Sequence, residues 1–102
     1  MKILRQGDVL LVKSEYIPET AQDTTKGDII LAHGETTGHA HRIRQPEKKA
    51  RIWDAGAERF LQVLEVVALT HEEHSSITIN PGIYRVAIQT EYTPQELRRV
   101  QD

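Results

Sequence analysis

Apolar residues along the chain fall mostly in short runs of two to four, separated by polar residues and by Gly, Pro, Asn and Asp, a rhythm of strands and turns rather than helices. After the turn pair Gly7-Asp8, the run Val9-Leu10-Leu11-Val12 predicts a short strand covered on both faces. Residues 14–27 show neither apolar period and read as a surface loop that ends in a second Gly-Asp pair. Ile29-Ile30-Leu31-Ala32 repeats the first strand's shape. Gly34-Glu35-Thr36-Thr37-Gly38 then predicts a hairpin-like turn before an extended segment at 39–44. A polar insert at 45–50 precedes a short strand, Arg51-Ile52-Trp53, and an Asp54-Ala55-Gly56 turn. The long apolar stretch 60–69 is β-branched at Val63, Val66 and Val67, which favours one strand over a helix. Residues 76–79 and 83–90 flank Asn80-Pro81-Gly82 and predict a β-hairpin. Thr93, Pro94 and Glu96 fit the cap, first turn and third position of a short C-terminal helix. The expected fold is all-β, a small barrel or sandwich with that helix.

Length and composition narrow the chemistry. With 102 residues the chain suits one domain, residues 1–102, because a single hydrophobic core serves roughly 100–200 residues. No apolar run is long enough to cross a membrane, and residues 1–8 turn polar too early for a secretory leader, so a cytoplasmic location is expected. The absence of cysteine excludes disulfides, a thiol nucleophile and any thiolate metal site. A formal charge of −2 argues against a broad electrostatic footprint for duplex nucleic acid.

The histidines stand out. All 5 lie in two windows, His33, His39 and His41 in one, His71 and His74 in the other. Neutral imidazole is the commonest nitrogen ligand for transition metals. His39 and His41, two apart on a strand, share a face, with Ala40 turned to the core. His71 and His74, three apart, would lie on opposite faces of a regular strand unless a bulge re-aims one. Glu35, Glu72 and Glu73 add oxygen donors. The expected centre joins His39 and His41 to His71 or His74 around a divalent metal such as Zn, Mn, Fe or Ni. Open coordination positions point to hydrolysis of a small molecule or an RNA or DNA phosphodiester, with Glu72 or Glu73 as base.

Other uses of the same residues stay open. Two histidines can cleave RNA as base and acid without metal. The domain can instead bind metal or assemble into homo-oligomers through strand edges without catalysing anything. Iron or copper redox chemistry also suits imidazole ligands. Arg42, Arg44, Arg51 and Arg85 are the available anion binders, and they read more simply as solvated strand faces. His71-Glu72-Glu73-His74 lacks the spacing of the zincin motif, and no P-loop or nucleophile elbow is present.

Four blocks carry a resemblance: Arg5-Gln6-Gly7-Asp8-Val9, Gly34-Glu35-Thr36-Thr37-Gly38-His39-Ala40-His41, Thr70-His71-Glu72-Glu73-His74 and Pro81-Gly82-Ile83-Tyr84-Arg85-Val86. Together they resemble a family of small uncharacterised bacterial proteins over most of the chain, which implies that both histidine blocks serve one feature. The His-X-His pair is also loosely similar to cupins, metal-binding β-barrels. The glutamate that cupins carry shortly after the pair is replaced here by Arg42-Ile43-Arg44-Gln45-Pro46, leaving Glu47 as the nearest carboxylate.

Overall fold

A computed structural model of the chain describes residues 3–34, 36–45 and 48–89. Among these residues ten strands follow in order: β1 (Ile3–Gln6), β2 (Val9–Ser14), β3 (Gln22–Asp23), β4 (Ile29–His33), β5 (Ala40–Ile43), β6 (Ala50–Ala55), β7 (Glu58–Val63), β8 (Val67–Leu69), β9 (Ile77–Ile79) and β10 (Gly82–Ile88). The described residues are all-β. Six strands form one antiparallel sheet in the order β1-β2-β10-β7-β6-β3, while β4-β5 and β8-β9 are separate two-stranded sheets. The sheets do not close into a barrel. The expected C-terminal helix lies outside the described residues. Among those residues, no helix is long and apolar enough to cross a membrane.

Alternation decides which face of each strand goes inward. On β2, Val9 and Leu11 are fully buried; β4 contributes Ile29 and Leu31, β6 Ala50 and Ile52, and β8 Val67 and Leu69. These residues, with Ile43, Leu61, Val63, Ile79 and Tyr84, form one core shared by all three sheets. Each fully buried Leu or Ile contributes roughly 1.5–3 kcal/mol of transfer free energy, so the three sheets are held together chiefly through this common interior.

Four expectations change. The 60–69 stretch is two strands in different sheets, because Leu64 N–H and Glu65 N–H both donate to Lys49 O and turn the chain out of the large sheet after Val63. The hairpin across Asn80-Pro81-Gly82 does not form: β9 pairs with β8, and β10 inserts between β2 and β7. The turn carries the chain from one sheet to another, closed by Tyr84 O–H donating to Asn80 O at 2.7 Å. Ile3–Gln6, not anticipated as a strand, pairs with β2 across the Gly7-Asp8 turn. The 14–27 loop is also interrupted by β3, which pairs with Asp54 and Trp53 of β6.

Candidate functional site

Three turns meet at one end of the core: Gly7-Asp8 between β1 and β2, the turn end of the β4-β5 hairpin, and residues 71–74 after β8. Between them lies a cleft of about 310 Å³ that all five histidines line. Ring centroids are 4.4 Å apart for His41 and His71, 4.7 Å for His71 and His74, 5.8 Å for His41 and His74, and 5.9 Å for His39 and His71.

Backbone pairing brings the two sequence windows together. Arg42 and Thr70 exchange both main-chain hydrogen bonds, Arg42 N–H to Thr70 O at 2.9 Å and Thr70 N–H to Arg42 O at 2.8 Å. In an antiparallel ladder the neighbouring pair, here His41 and His71, is the one whose side chains stand closest. Residues 72–74 then bend rather than continue the strand, so His71 and His74 both reach the cleft without the bulge anticipated for that segment. An irregularity lies instead in β4, where the register with β5 shifts between Ile30 and Ala32.

His39 and His41 differ in depth. His41 shares its face of β5 with the core residue Ile43 and is itself 2% exposed, at the point where the core gives way to the cleft. His39 precedes β5 and is half-buried. Its Nδ1 lies 2.8 Å from Glu73 Oε1, but off the line needed for a hydrogen bond. Glycine makes room for the rings. A Cβ on Gly7 would lie 2.7 Å from His74 Nε2 and 3.2 Å from His41 Cε1, and the residue's φ of +59° is one that side chains rarely adopt.

Hydrogen bonds assign the protons. Gln6 Nε2 donates to Leu69 O at 2.8 Å and Ser75 O at 3.0 Å, which leaves Oε1 as the atom facing His41 Nδ1 at 2.8 Å. An amide oxygen only accepts, so His41 carries a proton on Nδ1. Burial, followed by the neighbouring His71, lowers the His41 pKa; Asp8 opposes the shift, and His74 adds to it. The neutral ring therefore presents an Nε2 lone pair, 3.3 Å from Asp8 Oδ1. His71 is the reverse: its Nδ1 accepts from Glu73 N–H at 3.0 Å and His74 N–H at 3.4 Å, so the neutral ring carries its proton on Nε2.

The carboxylates divide similarly. Glu72 accepts the Ala40 N–H at 2.8 Å, and that bond heads the causes that lower its pKa, so it ties the 71–74 turn to β5. Glu73 lines the cleft. Glu35 and Glu47 lie outside the described residues. Five lining residues are not among the site residues expected from sequence: Gly7 and Asp8, which read there as a turn, Gly34 and Thr36, which read as part of the next turn, and His33, a member of the histidine window. Gln6 stands out in the sequence only as part of the block at residues 5–9. No Lys or Arg is among the described lining residues.

Metal fit can be judged from the donor atoms. Among the described residues no three His, Asp or Glu groups stand ready around one ion. The pair His41 Nε2 and Asp8 Oδ1 nevertheless has the right spacing: in a tetrahedron with arms of about 2.0–2.1 Å, donors sit about 3.3–3.4 Å apart, against 3.3 Å here. His74 is exposed on the 71–74 turn, its ring centroid 5.8 Å from that of His41.

Residues 5–89 match the model of a domain of unknown function, DUF8820. The chain belongs to this family. No curated protein and no solved structure matches it. The DUF8820 match runs from within β1 through β10 and takes in every described cleft residue named above.

Proposed function

We propose that the cleft is a histidine-carboxylate metal centre of a hydrolase, anchored by His41 Nε2 and Asp8 Oδ1 with His74 as the third ligand. One observation carries this reading: His41 Nε2 lies 3.3 Å from Asp8 Oδ1 on a ring whose Nδ1 donates to Gln6, and because burial favours the neutral ring the pair offers two acceptors that a cation would satisfy. Nitrogen and oxygen donors without thiolate suit Zn, Mn, Fe or Ni. Such an ion, when bound, makes a water nucleophilic near neutral pH. Glu73 is the better-placed base, because Glu72 is engaged with Ala40 N–H. His71, with its proton on Nε2, would donate to a substrate oxygen, and His39 completes the wall beside it.

The substrate class follows from the lining. Asp8 and Glu73 contribute negative charge and no described lining residue is Lys or Arg, so a small uncharged ester or amide fits this cleft better than a phosphodiester. A metal-free acid-base reading has one observation in its favour: His41 and His71, 4.4 Å apart, offer one lone pair and one N–H donor. A cytoplasmic setting accompanies both readings.

The test is metal analysis of protein purified without a histidine tag, followed by ester and amide hydrolysis with and without chelator. About one equivalent of a divalent metal, with activity lost on chelation and restored by the ion, is expected. Less than about a tenth of an equivalent, with none regained on titration, would overturn the metal centre. Hydrolysis indifferent to chelator and abolished by His41→Ala would establish the acid-base reading instead.

A further inference from the structure

Gln6 ends β1 and is 3% exposed. A buried primary amide carries two donor hydrogens and an acceptor oxygen, and each left unpaired costs roughly 1–3 kcal/mol. Here all are engaged. Both donors go to carbonyl oxygens, Leu69 O and Ser75 O, and those atoms can only accept. Turning the amide over would set its oxygen against both carbonyls, so its orientation is fixed by the backbone. The proton in the Gln6-His41 contact must then come from the ring.

The two carbonyls also have a meaningful location. Leu69 ends β8 and Ser75 follows His74, so they bracket the turn that carries His71 and His74. Within that turn, the amides of Glu73 and His74 hold the His71 ring through Nδ1. One side chain thus reaches both histidine windows, directly on one side and through the ends of a turn on the other.

We propose that Gln6 is the positioning residue of the cleft: it holds His41 in the Nδ1–H form with Nε2 bare toward Asp8, and fastens the turn that holds His71 in the opposite form. This deepens the metal reading, since a bare Nε2 is what an ion beside Asp8 requires, and it rests on that reading for its consequence. The tautomers themselves exist without metal. A solvated histidine has no such lock and exchanges between its two neutral forms.

Long-range nitrogen-proton NMR of the metal-free protein at about pH 8, above the ordinary histidine range, tests this directly. In the unaltered chain, His41 should show its proton on Nδ1 and His71 on Nε2. Gln6→Leu removes the lock, so His41 should become a mixture of tautomers, and affinity for added zinc ion should fall by about 10–100-fold. Gln6→Glu retains an acceptor for Nδ1–H, so it should preserve the His41 tautomer while the 70–75 amides exchange faster with solvent. The unaltered-chain spectrum needs no variant to fold. A His41 proton on Nε2 in that spectrum, or an unchanged His41 tautomer in folded Gln6→Leu, would overturn the proposal. If the tautomers are as stated and zinc ion does not bind the unaltered chain, the role of Gln6 stands and the metal reading falls.

Discussion

His41 is the most deeply buried of the five cleft histidines. It is buried, it donates to Gln6 Oε1, and it lies among rings that disfavour a second positive charge. Its pKa is lowered in the folded chain from an ordinary 6.5, so on acidification the unfolded chain takes up the proton first. The neutral ring's contribution to stability is present above that ordinary value and is lost as pH falls through the depressed one. Urea unfolding of the chelated protein should show a midpoint that declines as pH falls from neutrality, with a shallower decline in His41→Gln. Equal slopes would mean that another group dominates. Gly7 is the second residue on which the cleft depends. Gly7→Ala places a Cβ against His74 Nε2 and strains a φ of +59°, so it should cost roughly 1–2 kcal/mol and weaken metal binding, measured by thermal unfolding and titration calorimetry.

Strands and turns set which residues reach the cleft. Glu72 illustrates this, because its carboxylate holds the Ala40 N–H and so couples the 71–74 turn to the start of β5. Glu72→Ala should accelerate hydrogen exchange at the Ala40 amide, and Glu72→Gln, which keeps an acceptor oxygen, should largely restore protection. Protection unchanged in Glu72→Ala would contradict the tie. Short-range signals served well where the chain closes on its neighbour: the Gly34 to Gly38 turn does join β4 to β5, and the apolar runs 9–12 and 29–32 do lie in strands. They failed where partner choice is long-range. Nothing local to Asn80-Pro81-Gly82 reveals that β10 will insert between β2 and β7, or that β9 will turn to β8. Likewise the three-residue spacing of His71 and His74 is awkward only for a strand. The bridge of Arg42 to Thr70 ends the ladder there, and the bend that follows aims both rings inward.

At the scale of the molecule, one core serves three sheets, and the cleft opens where turns from all of them meet. The clustering of histidines was visible in the amino-acid order, but Gln6 and Asp8 were not, because neither residue type is unusual and their significance arises from contacts with His41, far along the chain. The proposed centre depends on that convergence: β1 supplies Gln6, the first turn Asp8, β5 His41, and the turn after β8 His71 and His74. The central claim is that His41 Nε2 and Asp8 Oδ1 grip a cation between them. Anomalous diffraction from crystals soaked in zinc tests it most directly. The account predicts a peak about 2.0–2.2 Å from both atoms. A fully occupied zinc bound elsewhere, or no peak with the cleft open to solvent, would contradict it.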